Sequence, residues 1–273
     1  MKLNKLSFIA LSFFACLFLV FLVSYDYHLV RATDDKKPKI HILFIGNSYT
    51  FVNDLPTQLE TLASNEIRPV VADSVTEGGA TLKKHWNDGK ALAAIKKGGW
   101  DYVVLQEHST FGSTLVVNDI AQLNDPTDFY TYARLFDAEI KKVGAKTLFY
   151  MTWARQNAPQ NQAIIAKTYM TIAGELHDDV VPVGLGWATS LKERPSLLLY
   201  QADKSHPNPD GTFLAACVFY TKLYHKSPAG FSGSIDVTAH DAKFLQTVAW
   251  ETVQQQNEQP VNANKHAESI NQP

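Results

Sequence analysis

The sequence predicts an α/β protein built on a parallel sheet, and three observations carry that reading. Apolar runs of four to eight residues, rich in β-branched and aromatic side chains, recur along the chain. Segments of helical period separate them, and several of those segments have readable ends. Strands that alternate with helices, and that are apolar almost throughout, suit a sheet covered on both faces.

Before the first run comes a segment of a different kind. Lys2 and Lys5 precede the 18-residue apolar stretch Leu6 to Val23, which ends in polar sequence. Residues 1–32 therefore read as an export signal or an N-terminal membrane anchor. Val30-Arg31-Ala32 offers small residues for cleavage after Ala32, whereas the length of the run is enough to span a bilayer, so both outcomes stay open. Either one predicts an exported protein: periplasmic, extracellular or held at the membrane by this segment. Without it 241 residues remain, with 22 basic and 26 acidic side chains and a net charge of −4. That length can bury one substantial core, read as a single domain over 33–256. No basic stripe stands out, which excludes a nucleic-acid partner from the reading. Only Cys217 remains beyond the leader, so the core must hold the fold without a disulfide.

The strand candidates are Ile40 to Ile45, Pro69 to Val75, Tyr102 to Leu105, Thr147 to Trp153 and Val180 to Val183. Between the third and fourth, Asp125-Pro126 predicts a helix start, Phe129, Tyr132, Phe136, Ile140 and Val143 one helical face, and Gly144 its end. Ile165, Tyr169, Ile172 and Leu176 share one side of the next helix. A further helix opens at Asn208-Pro209. The last begins at Thr238, with Asp241 three residues on, and buries Phe244, Leu245, Val248 and Ala249. The Gln/Asn-rich end, polar from 257 to 273, reads as a frayed terminus.

In an open parallel sheet the ligand site lies at the carboxyl ends of the strands. Four places there, or on late loops able to reach them, carry chemistry: Gly46-Asn47-Ser48, Glu77-Gly78-Gly79-Ala80-Thr81, Gln106-Glu107-His108-Ser109, and Asp203-Lys204-Ser205-His206. Asp203, three residues before His206, can fold back onto the imidazole and fix its tautomer. The plainer alternative is that the pair caps the Asn208 helix. Ser48, after a glycine and an asparagine suited to a tight turn, is a candidate nucleophile or an ordinary turn residue. A serine nucleophile needs donors for its oxyanion. Gly78-Gly79 offers backbone N–H groups, and Gln106 offers an amide. Trp153 and Arg155 lie at or just beyond the end of a strand and are candidates to line a substrate pocket. His41, His85 and His108 form no recognisable metal set, and no metal or cofactor is called for.

Taken together, the four places resemble those of the SGNH or GDSL-type serine hydrolases, across essentially the whole chain beyond the leader. The resemblance implies a flavodoxin-like three-layer α/β/α sandwich and an esterase. Gly46-Asn47-Ser48 stands where the family has Gly-Asp-Ser, Gly79 matches the oxyanion glycine of the second block, and Asp203 and His206 match the closing Asp-x-x-His. The third block departs from the family, with Leu105-Gln106-Glu107 in place of Gly-x-Asn-Asp; Gln106 is similar to the glutamine of related sugar O-acetyl esterases. The roles implied are Ser48 as nucleophile, His206 as base then acid, Asp203 as orienter, and Ser48, Gly79 and Gln106 as the oxyanion hole. The implied substrate is a carboxylic ester, short acyl or O-acetyl, on a small molecule or polysaccharide. Acyl transfer to a sugar and a catalytically silent carbohydrate-binding or envelope-scaffold protein are the alternatives. The Gly-x-Ser-x-Gly elbow of the α/β-hydrolases does not occur.

Overall fold

Five parallel strands run in the order β2-β1-β3-β6-β7: β1 (Ile40–Gly46), β2 (Val70–Thr76), β3 (Tyr102–Leu105), β6 (Lys146–Tyr150) and β7 (Asp179–Val181). The computed structural model describes residues 38–231 and 236–270, with side chains to 258. The fold forms one unit beginning at Ile40. The leader segment, and with it the signal-or-anchor reading, lies outside the described residues.

Alternation of side chains across each strand divides the core into two layers. Ile40, Ile42, Phe44, Val104, Leu148, Tyr150 and Val181 face one way. They pack against α2 (Leu55–Leu62), α7 (Val183–Glu193), α8 (Pro209–Tyr224) and α9 (Ala239–Ile270). Leu43, Ile45, Val103, Leu105, Phe149 and Val180 face the other way, against α3 (Leu82–Asp88), α4 (Lys90–Lys96), α5 (Thr127–Lys142) and α6 (Asn161–Leu176). The result is a three-layer α/β/α sandwich. A one-turn helix, α1 (Ser48–Phe51), follows β1. A small antiparallel hairpin, β4 (Leu115–Val117) and β5 (Ile120–Gln122), rises from the loop after β3.

The structure differs from the sequence reading at three boundaries and decides one alternative left open there. The fourth strand ends at Tyr150 and not at Trp153, so the chain leaves the sheet before Trp153 and Arg155. The fifth ends at Val181, because Pro182 caps α7 and Val183 is already helical. Asn208 caps α8 with its own side chain, accepting the Gly211 N–H at 2.9 Å, which leaves Asp203 and His206 free of that duty. The terminal segment expected to fray continues α9 as far as Ile270.

The strand order reverses direction at β1, where the connection to β2 goes one way and the rest of the sheet goes the other. Such a switch point leaves a crevice above the carboxyl ends of the two central strands, here β1 and β3. Gln106 continues the pairing there, donating its N–H to Ile45 O at 2.9 Å.

Candidate active site

Three of the four loops meet through Gly46. A Cβ at this position would lie 2.5 Å from Gln106 Oε1 and 2.7 Å from Thr50 Oγ1, so glycine is needed for close approach and not for an unusual backbone angle. Asn47 is likewise extended (φ −129°) and acts as the N-cap of α1. Its Oδ1 accepts the Tyr49 N–H at 3.1 Å, and its Nδ2 donates to Ala80 O at 3.0 Å. Ser48 is thereby the first residue of the helix, and its N–H has no protein acceptor among the described residues.

The second loop closes a turn, with the Ala80 N–H donating to Glu77 O at 3.1 Å. Gly79 holds φ +68° and Gly78 does not take a positive φ, so Gly79 is the residue the turn demands. Its exposed N–H also has no protein acceptor among the described residues.

The closing loop brings Asp203 and His206 back over Ser48. His206 Nε2 lies 2.8 Å from Ser48 Oγ, and His206 Nδ1 is hydrogen-bonded to Asp203 Oδ2. Asp203 Oδ1 accepts the Ser205 and His206 N–H groups, each at 3.0 Å. Burial alone would raise the Asp203 carboxyl, but the hydrogen bonds from His206 and the two backbone groups outweigh it and hold it below the ordinary carboxylate value. Asn53 ties this loop to the nucleophile's side, donating to Pro207 O at 3.0 Å and to Thr212 Oγ1 at 2.9 Å. The structure thus brings together Ser48, His206 and Asp203 in the order a base-activated hydroxyl requires.

Gln106 is the first correction at the site. It is fully buried; its Oε1 accepts the Asn47 N–H at 2.8 Å and the Thr50 hydroxyl at 3.0 Å, and its Nε2 donates to Glu107 O at 2.6 Å. The amide props up the nucleophile loop from beneath and does not present itself to a substrate oxygen. Trp153 is the second. It is also fully buried, stacked between Tyr49 (4.6 Å) and Trp187 (3.8 Å), with Nε1 donating to Ser205 O at 3.0 Å. Its work is to support the triad loop. Arg155 is half-buried, and its guanidinium donates to Ser109 Oγ (3.3 and 3.4 Å) and Thr114 Oγ1 (3.0 Å).

Tyr49 escaped the sequence reading, and so did the roles of Ser205, Glu107 and His108. Tyr49 packs at a steep angle against the His206 ring, with centroids 5.7 Å apart, and hydrogen-bonds Ser205 Oγ at 2.7 Å. Their positions, one after Ser48 and one before His206, were the signal available. Glu107 is buried without a basic partner among the described residues. It accepts the Leu82 N–H at 3.0 Å and the His108 N–H at 2.6 Å, joining the second and third loops. Burial pushes its carboxyl up to about 7 against those two bonds. His108 is depressed to about 4, first by burial and then by Arg155, and so stays uncharged near neutrality. Among the described residues no group of three His, Cys, Asp or Glu side chains could hold a metal.

No family model and no curated protein sequence matches the chain. Solved structures do. A protein assigned to the SGNH hydrolases from Slackia heliotrinireducens superposes with a TM-score of 0.54 at 25% identity, covering 68% of this chain and 99% of its own. The fold is that of the SGNH hydrolases. A DUF4886 family protein from Bacteroides uniformis superposes with a TM-score of 0.64 at 16% identity, over 79% of this chain and 95% of its own. An acetyl xylan esterase from Geobacillus stearothermophilus follows at 0.54 and 15%, over 69% and 97%.

Proposed function

We propose that this SGNH-type chain is an exported serine esterase that removes short acyl or O-acetyl groups from a carbohydrate. The observation that carries the reading is the continuous hydrogen-bonded path from Ser48 Oγ through His206 to Asp203. Ser48 Oγ attacks the ester carbonyl carbon while His206 Nε2 takes its proton, and Asp203 stabilises the resulting imidazolium. The negative charge that develops on the carbonyl oxygen is met by the N–H groups of Ser48 and Gly79. His206 returns the proton to the leaving alkoxide as the carbon–oxygen bond breaks, leaving an acyl-serine. Water, deprotonated by the same imidazole, then releases the acid and restores Ser48.

The carbohydrate part of the proposal is supported by the acetyl xylan esterase among the structural neighbours and, for export, by the apolar leader. The inward turn of Gln106 favours the silent-scaffold alternative, since it leaves two oxyanion donors where three were expected. Turnover separates the two. With p-nitrophenyl esters of increasing acyl length, the esterase reading expects release fastest for acetate and lost on Ser48→Ala. Background rates for every chain length, unchanged by Ser48→Ala, would support the scaffold.

A further inference from the structure

Arg155 is a cation at the edge of this site with no counter-ion among the described residues. The chain places it between two residues that bind the triad loop: Trp153 Nε1 donates to Ser205 O at 3.0 Å, and the Gln156 N–H donates to Lys204 O at 2.9 Å. Its guanidinium also reaches across to the β3 loop, where Ser109 Oγ takes two of its donors. Both partners of the fork, Ser109 and Thr114, are neutral hydroxyls. Among the described residues no carboxylate lies within ion-pair distance of Arg155, and Nη1 has no protein acceptor.

The surroundings do not supply the missing charge. Asp203 is engaged by His206, Glu107 is buried beneath the loop on backbone N–H groups, and Asp119 on the hairpin turn forms no ion pair. Glu77, on the second loop, is paired with Lys84 at 3.2 Å. Lys204, next to Asp203 on the triad loop, is exposed, holds φ +62°, and its ammonium meets no carboxylate among the described residues. A guanidinium that is partly desolvated favours an anionic oxygen over water, and an open Nη1 edge presents two N–H groups to one. Two unpaired cations on the rim of a protein with net negative charge mark a local preference for anions.

We infer that the rim formed by Arg155 and Lys204 binds a carboxylate carried by the substrate, so that the preferred ester is an acyl group on an acidic saccharide. The inference rests on the esterase reading and narrows its substrate class. Arg155 holds the anion and Lys204 adds long-range attraction.

The test compares kcat/KM for matched O-acetylated methyl glycosides of galacturonic acid, its neutral amide, galactose and galactose 6-phosphate. The acid is expected to exceed both neutral sugars by on the order of tenfold, mainly through KM, with the advantage shrinking as salt rises from about 0.05 to about 0.5 M. Arg155→Gln should bring the ratio close to one, Arg155→Lys should keep part of it, and Lys204→Gln should lower it less than Arg155→Gln. Thermal melting checks that each variant is folded. If Arg155→Gln does not fold, competitive inhibition of the wild type by free galacturonate but not galactose carries the same information. Equal rates on acid and neutral sugars, a preference that survives Arg155→Gln, or a preference for the phosphate over the carboxylate overturns the inference. Failure to hydrolyse any of the four, with Ser48 still labelled by a fluorophosphonate, also overturns it; with Ser48 unlabelled, it is the esterase reading that fails.

Discussion

Asp203 accepts three hydrogen bonds, two from backbone N–H groups and one from the His206 ring, although its side chain is 45% exposed. The backbone bonds hold the carboxylate and the ring bond sets the tautomer, so removing the charge should disturb orientation more than folding. Asp203→Asn is expected to lower kcat by about 10³-fold while the melting temperature changes little. A kcat within a few-fold of wild type would mean that His206 is oriented by something else. Glu107 carries a different consequence. Its carboxyl is raised to about 7 in the native state, so between its unfolded value and that point the native state binds more protons than the unfolded one. Stability attached to this group is therefore full below the unfolded value and lost as pH rises to about 7. Glu107→Gln removes the dependence. The unfolding free energy of wild type relative to the variant should fall by about 2 to 3 kcal/mol between about pH 5 and about pH 8, measured by urea denaturation. A constant difference would contradict the buried, unpaired carboxyl.

At the scale of elements, the central strands β1, β3 and β6 were legible because they are buried on both faces, which leaves unbroken apolar runs such as Ile42 to Ile45. The β4–β5 hairpin was not legible, since Leu115, Val116 and Val117 are all exposed and give no alternation. Loops after β1 and β3 hold the site, and whether a strand-end amide turns into the cleft or under it is a matter of local packing that sequence does not display. At Gln106 the packing is decided by the missing Cβ of Gly46. The amide's role beneath the loop makes a prediction opposite to that for an oxyanion donor. Gln106→Ala strands the Asn47 N–H and opens a cavity, so stability should drop by about 2 to 4 kcal/mol. Unchanged stability, with kcat lower by on the order of 10²-fold, would return the amide to the cleft.

Across the whole molecule, the parallel sheet with its switch point at β1 explains why residues 48, 79, 203 and 206 could be picked out of a linear sequence. Each follows a strand, or lies on a late loop able to fold back over the sheet, and such positions have few ways to avoid one another above one crevice. Support residues were hidden for the converse reason: Tyr49, Trp153 and Ser205 act through stacking and buried hydroxyl contacts between segments far apart in the chain. Esterase chemistry at this site requires that the arrangement activate Ser48. Intact-protein mass spectrometry after treatment with a fluorophosphonate, followed by peptide mapping, measures that directly. One adduct per chain is expected, on Ser48, abolished in Ser48→Ala, greatly slowed in His206→Ala and retained in Ser109→Ala. No adduct on the folded wild type, or equal labelling of Ser48→Ala, would contradict the activation of Ser48.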